Sequence, residues 1–543
     1  MSYTPSEARG QELQWLLTLT IGGTVVRVSD LEAEVDDVAT GAVYVYAAGL
    51  DGVSPPALAL GDLGSAPSAS ASVSFLWPSA DGLADLLALD GDPSDAYGEL
   101  ALWVPGTDYS RRHVVVQGAA RISGSGEPHE LVDVEISLRL SDDLGLVPDA
   151  TVTADRWPRA GSSLALPEGS VDAPYPLVFG APGHLGSPAL DAHTGWRVYV
   201  VELDGATSDN SANDATDLLH GGDAAMVGAS ILLTNATTGL STTVTPARSQ
   251  DLLGSVVVVA TVALGDLAIA DGDELWASAT SSTPVGVVAD NARGGGLSRA
   301  GNVARWLLLR AVAVPVDLAG SDLVALNAYR LDARVDAQRT PTELLADLLS
   351  LLPCAWAVTP DGLALRAWPS EDALEVARVG PDYGCERAGP VEYSEPNEVR
   401  DVQRIDYDLD AASGDYARSL TLGPDVRTLD ASNVVLPSAR HARARGRGAP
   451  TSYGFRVAEV LQADAVCDPG TAMALGAARA RRNSRVRATV IYDCPAEYQF
   501  HGLGVVVRWV DADLGRDEAV RVMAIEHGTT RCRLTLETLG RTP

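Results

Sequence analysis

Lysine is absent from all 543 residues of this chain. Every basic side chain is therefore an arginine, 40 of them against 72 acidic residues, and the formal net charge is −32. A surface of that sign repels phosphate backbones and anionic lipids, which argues against general nucleic-acid binding. Cysteine is scarce and odd in number: Cys354, Cys385, Cys467, Cys494 and Cys532. Such thin spacing excludes a dense disulfide framework and predicts reduced thiols in a chain folded in a cytoplasm. No Cys-x-x-Cys and no nearby histidine pair is available for a local zinc motif. Long apolar runs are missing as well. Val256 to Leu264 is about half of what a membrane helix needs, and Trp306 to Val316 is broken by Arg310 and Pro315, so a soluble chain without a membrane span is expected. The first ten residues have neither a basic start nor an apolar core, and no signal peptide is expected.

What is present is mostly β pattern. The length predicts three to four domains. Short alternating segments recur at Gln14 to Ile21, Val25 to Val28, Val43 to Tyr46, Ala71 to Trp77, Glu99 to Val104, His113 to Ala119 and Leu131 to Leu140. Gly22-Gly23, Asp51-Gly52, Pro55-Pro56 and Pro105-Gly106 punctuate them as turns do between antiparallel strands, which predicts a β-barrel or sandwich over residues 1–155. A Pro/Gly-rich connector follows at 156–190, then an acidic β-rich insertion at 191–295. A mixed α/β unit is expected at 296–395 and a C-terminal β unit with one helix at 396–543. The fold class is thus mainly β with a few helices, α+β, in several domains.

The helices carry local signals. Val303, Trp306, Leu307 and Arg310 recur at three- and four-residue steps, predicting a helix over 301–311. Thr340, Pro341 and Glu343 spell a capping box with proline at the first position, ahead of an apolar face of Leu344, Leu345, Leu348, Leu349 and Leu352. Asp361-Gly362 reads as a hairpin turn. A third helix is expected over 470–483, with arginines at its C-terminal end, where they complement the helix dipole.

Charge is unevenly placed. Residues 191–290 hold 13 acids against Arg197 and Arg248, a local net of −11, whereas 436–490 hold ten arginines against Glu459, Asp464 and Asp468, a net of +7. This contrast suits subunits that meet acidic face to basic face. The plainer reading is a set of solvated surface stretches. The run Arg440-His441-Ala442-Arg443-Ala444-Arg445 alternates with small residues and lacks aromatics for base stacking, which favours a protein partner over nucleic acid.

Candidate chemistry is thin. His129-Glu130-Leu131-Val132-Asp133 lacks the second histidine of a zinc-protease helix and alternates like a strand. Asp209, Ser211, Asn213, Asp214 and Asp217 offer oxygens to calcium without the glycine and terminal glutamate of an EF-hand, and a solvated loop is the better reading. Gly294-Gly295-Gly296 lacks the rest of a phosphate loop and reads as a hinge. Ser438 and His441 have no nucleophile elbow. Cys354 and Cys494 read as small core hydrophobes. No catalytic, cofactor-binding or metal residue is expected, and the chain does not read as an enzyme.

The second half resembles the baseplate hub or tail-tip proteins of tailed bacteriophages. The resemblance rests on an ordered set: the helix 340–352 with its following hairpin, Pro396-Asn397-Glu398-Val399 leading into Val402 to Tyr407, the helix 470–483, and a close of Gly502-Leu503-Gly504-Val505-Val506-Val507, Asp511 to Gly515, Val520 to Ile525 and Arg533 to Glu537. Tyr175-Pro176-Leu177-Val178-Phe179-Gly180 is similar to a segment of phage tail proteins, and together these touch about two thirds of the chain. The resemblance implies a structural virion protein, a homotrimeric hub at the distal end of the tail, assembled in the host cytoplasm. It would join the tail tube or distal tail protein to the tape-measure protein and to fibres or receptor-binding proteins. It would also bound the channel through which the genome leaves, where an acidic lumen lets DNA slide. Arg443, Arg445, Arg481 and Arg482 are the residues expected to pair with carboxylates of neighbouring subunits. The alternative is a peripheral receptor-binding, adhesin-like β protein, with Asp209 to Asp217 as its calcium loop.

Overall fold

Gly22 and Gly23 both take positive φ, 53° and 95°, and join Gln14–Ile21 to Thr24–Ser29 with Ile21 facing Thr24. A two-residue loop of this kind needs two left-handed residues and matches the twist of the flanking strands. The computed structural model describes residues 4–61, 68–77, 96–123, 131–139, 174, 176–183, 195–204, 215–221, 229–250, 256–268, 273–285, 297–311, 316–369, 373–395, 399–400, 402–422, 441–444, 460–484 and 486–539. Strands dominate them.

The first sheet has nine strands, in the order Ala33–Asp37, Ala42–Ala48, Thr24–Ser29, Gln14–Ile21, Tyr97–Trp103, His113–Ser123, Leu131–Arg139, Ser68–Leu76 and Leu50–Ser54. Its pairs are antiparallel except Thr24–Ser29 with Ala42–Ala48. Among the described residues the path stays open between Ala33–Asp37 and Leu50–Ser54, so it is not a closed barrel. Alternation turns Leu17, Leu19, Phe75, Leu100, Val134 and Ile136 into one core. Each such side chain removed from water contributes roughly 1.5–3 kcal/mol.

Pro55-Pro56 turns out to be a change of sheet. Leu50–Ser54 belongs to the first sheet, whereas Ala57–Ala59 pairs with Ala524–Glu526 near the other end of the chain, and Gly61 bridges to Trp356. Proline cannot donate to a ladder, so two in succession end one strand before the next begins. The first and last parts of the chain accordingly share one hydrophobic core, from Trp15 and Trp77 to Trp356, Val507 and Trp509.

The closing residues form an eight-stranded sheet along Glu375–Val379, Val506–Asp511, Arg516–Glu526, Arg531–Thr538, Ala488–Pro495 and Glu386–Arg387, with Glu392–Tyr393 and Ala57–Ala59 paired off this path. At its centre the Trp509 indole donates to the Tyr492 hydroxyl at 2.9 Å, which donates to Asp511 Oδ2 at 2.6 Å. All three side chains are buried and satisfy one another.

A seven-stranded sheet runs Ser241–Val244, Ile231–Asn235, Leu275–Ala279, Trp196–Asp204, Ala215–Gly221, Val256–Ala263 and Ala247–Gln250. Its core of Trp196, Val198, Ile231, Leu233 and Leu275 is separate from the main one. The acidic stretch therefore folds around its own apolar centre.

The helices appear close to their signals. Ala300–Ala311 and Pro341–Leu349 pack against each other, and Thr340 Oγ1 accepts from the Glu343 N–H at 3.3 Å while Glu343 Oε2 accepts from the Thr340 N–H at 3.0 Å. The hairpin Cys354–Thr359 to Gly362–Ala367 pairs Thr359 with Gly362, so Pro360-Asp361 makes the turn one residue earlier than expected. Helix Pro469–Asn483 is capped by Asp468, which accepts from the Thr471 N–H at 2.7 Å. It lies on a four-stranded sheet of His441–Ala444, Tyr416–Leu422, Gln403–Leu409 and Leu461–Ala463. A Cβ at Gly476 would sit 2.3 Å from Leu422 Cδ1, so the helix approaches the sheet through a residue without a side chain.

Candidate functional site

The four arginines expected at a subunit contact fall in different places. Arg445 lies outside the described residues. Arg443 is in the strand His441–Ala444, opposite Thr421 in a parallel pair. Arg481 and Arg482 are in the last turn of helix Pro469–Asn483, both part-buried. Arg482 already has partners within the chain: its guanidinium stacks 3.9 Å over the Trp368 ring and reaches Glu537 at 3.8 Å.

Around Trp368 the fold gathers further arginines. Arg479 lies 5.5 Å from the same ring and donates to the Ser350 carbonyl at 3.1 Å. Arg487 pairs with Glu537 at 2.6 Å, and Arg366 with Asp322 at 3.8 Å. Arg521, on Arg516–Glu526, is only 3% exposed, and its Nε and Nη2 have no hydrogen-bond partner among the described residues. Its pKa is pushed down to about 10, first by burial and then by Arg482 beside it. This seam joins the helix, the hairpin and the closing sheet. It can hold planar stacked cations and carboxylates, and the Cys354 thiol near Arg521 and Arg479 is pushed up to about 12 by burial, which keeps it protonated.

A cleft of about 470 Å³ opens beside the strand Ala333–Val335, lined in part by Arg334, Asp336, Arg339, Asp347, Leu348 and Asp464. Its arginines are neutralised in place, Arg334 by Asp336 at 3.3 Å and Arg339 by Asp347. Cys467 at its wall has its thiol pushed well up by burial, which keeps it protonated and unreactive. Asp332 is likewise pushed up by burial, but it accepts from the Ala181 N–H at 2.8 Å and from Arg330 Nε at 3.0 Å. It pins the segment 176–183, whose strand Leu177–Phe179 pairs with Ala333–Val335.

The remaining candidates disperse. Asp133 accepts from Ser74 Oγ on the neighbouring strand, and His129 and Glu130 lie outside the described residues. Asp209, Ser211, Asn213, Asp214, Gly294 to Gly296 and Ser438 also lie outside them, and Asp217 is in the strand Ala215–Gly221. Among the described residues no three His, Cys, Asp or Glu side chains are grouped to hold a metal ion. No helix among them is long and apolar enough to cross a membrane. All five cysteines are free and buried. The sequence missed the row formed by Cys385, Cys494 and Cys532 across adjacent strands, because strand register and not spacing brings them together.

No family model and no curated protein matches the chain. Solved structures similar to it include the tail protein from Neisseria meningitidis MC58, at 10% identity and a TM-score of 0.34 with 96% of each chain covered. The 43 kDa tail protein of prophage MuSo2 from Shewanella oneidensis is similar at 10% identity and a TM-score of 0.34, covering 96% of this chain and 98% of that one. A chain of the native gene transfer agent virion is similar at 13% identity and a TM-score of 0.39, covering 73% of this chain and 91% of that one.

Proposed function

We propose that the chain is a structural component of a phage tail, a hub at the distal end that joins the tail tube to the host-facing tip. The observation that carries this reading is the way the resembling segments assemble. The Leu177–Phe179 strand docks on Ala333–Val335, the helix 341–349 and its hairpin pack on the same core, and the closing strands Val506–Asp511, Arg516–Glu526 and Arg531–Thr538 tie back to Ala57–Ala59. Segments scattered over the sequence thus become one interlocked body suited to bearing load. The side chains around Trp368 are spent on internal pairing.

In this reading three copies surround the tail axis, and their acidic surface bounds the channel for the exiting genome. Arg443, Arg445 and Arg481 pair with carboxylates of neighbouring subunits, and Arg482 orders the last helical turn that carries Arg481. Native mass of the purified chain, alone and with tail-tube protein at moderate and high salt, tests it. A trimer, or a ring that closes only on the tube and loosens as salt rises, supports the hub. A monomer indifferent to tube protein removes it and favours the peripheral receptor-binding role.

A further inference from the structure

Cys385, Cys494 and Cys532 line up across three adjacent strands of the closing sheet. Cys494 faces Cys532 directly, and because Glu386 faces Asp493 in the antiparallel pair, Cys385 faces Cys494. The ladder distinguishes the two contacts. The Ala388 N–H donates to the Ile491 carbonyl at 2.9 Å, so in this pair the hydrogen-bonded positions are Ala388 with Ile491 and, two residues on, Glu386 with Asp493. Cys385 and Cys494 therefore stand at a non-hydrogen-bonded position, and the Cys385 N–H goes instead to the Gly380 carbonyl at 3.2 Å. Opposed residues at such positions have Cα atoms about 4.5 Å apart, within the span of a disulfide. Cys494 turns its own backbone groups toward Cys532, the wider kind of pair at about 5.5 Å. Cys532 Sγ donates to the Pro495 carbonyl at 3.5 Å.

We propose that Cys385 and Cys494 form a covalent modification site, a thiol pair that a small-molecule disulfide converts to a cross-strand disulfide, with Cys532 left as a bystander. The proposal is independent of the tail reading. Cys385 Sγ donates to the Tyr383 carbonyl at 3.8 Å and Cys494 Sγ to the Tyr492 carbonyl at 3.9 Å, so neither thiol is locked away from the other across the pair. The interaction between the two sulfurs lowers the Cys385 pKa and raises that of Cys494, so Cys385 is the attacking sulfur. Access comes from the edge. Cys385 follows the turn Pro381–Tyr383 and Gly384, at φ +76°, and enters the two-residue strand Glu386–Arg387, whose side chains are exposed. An edge this short opens locally without global unfolding.

With oxidised glutathione, the Cys385 thiolate attacks one sulfur and expels a glutathione thiolate, which takes the Cys494 proton. The Cys494 thiolate then attacks the Cys385 sulfur of the mixed disulfide and expels the second glutathione as a thiolate, which takes up the proton Cys385 released on ionising. One protein dithiol and one glutathione disulfide become one protein disulfide and two glutathione thiols.

The test incubates the full chain with oxidised glutathione, alkylates the remaining thiols after unfolding and maps peptides without reduction. The expected product is a Cys385–Cys494 linked peptide lacking two hydrogens, with Cys354, Cys467 and Cys532 alkylated and a raised Tm. Cys532→Ser is expected to leave this product unchanged, and Cys494→Ser to stop at a glutathione adduct on Cys385. A Cys494–Cys532 link, or five alkylated thiols after incubation at temperatures just below Tm, overturns the proposal. Mapping on the unsubstituted chain decides it even where a variant fails to fold.

Discussion

Asp332 accepts the backbone N–H of Ala181 at 2.8 Å, a bond that spans 151 residues of sequence and holds the proline-marked segment against the body of the chain. The turn it fixes depends on Gly180, whose φ is +70° and whose added Cβ would lie 2.2 Å from the Leu331 carbonyl and 2.4 Å from Asp332 Oδ1. Gly180→Ala is expected to cost at least ~3 kcal/mol in urea unfolding, since both the backbone region and the space forbid a side chain. Gly239 has a similar φ of +73° with nothing within 4 Å, so Gly239→Ala is expected to cost only about 1 kcal/mol.

Arg521 and Arg482 separate a buried cation from a useful one. Arg521 is buried with two nitrogens unpartnered among the described residues, so Arg521→Met is expected to leave the melting temperature unchanged or raised, as replacing a poorly compensated buried charge does. Arg482 is partly exposed in its stack on Trp368, and Arg482→Ala is expected to cost under ~1 kcal/mol of monomer stability. If Arg481 meets a neighbouring subunit, Arg481→Glu weakens self-association in sedimentation experiments while leaving the monomer's unfolding midpoint within error.

Stability should fall on acidification through a pair of buried histidines. His113, on the first sheet, and His527, after the strand Arg516–Glu526, have ring centroids 5.4 Å apart, with Phe500 edge-on to His113 at 5.0 Å. Burial pushes His113 down to about 4, and burial followed by His113 pushes His527 well below its ordinary value. The unfolded chain takes up these protons first, near pH 6.5. The contribution is therefore full above about 6.5, declines as pH falls, and levels off below about 4 for His113, a loss of ~3 kcal/mol for that residue. Urea midpoints between pH 7 and 4.5 check this, and His113→Phe is expected to flatten the slope.

Much of this architecture was legible because it is local. Alternation announced Gln14–Ile21, His113–Ser123 and Leu131–Arg139, and Thr340 with Glu343 announced a helix. Ala57–Ala59 was invisible, since three residues carry no period and their partner at Ala524–Glu526 is set by the tertiary fold. The same holds for the arginines. Their net charge could be counted, but that Arg482 would lie on Trp368 follows from the angle of a helix to a hairpin. Cys494 reads in sequence as a small core hydrophobe, and only strand register makes it a neighbour of Cys385.

The central claim is tested most directly by locating the chain in tail particles purified from a host that expresses them, by antibody labelling and copy-number mass spectrometry. The account predicts labelling at the distal tip and three copies per tail. Absence from purified tails, or labelling confined to peripheral fibres, would contradict it.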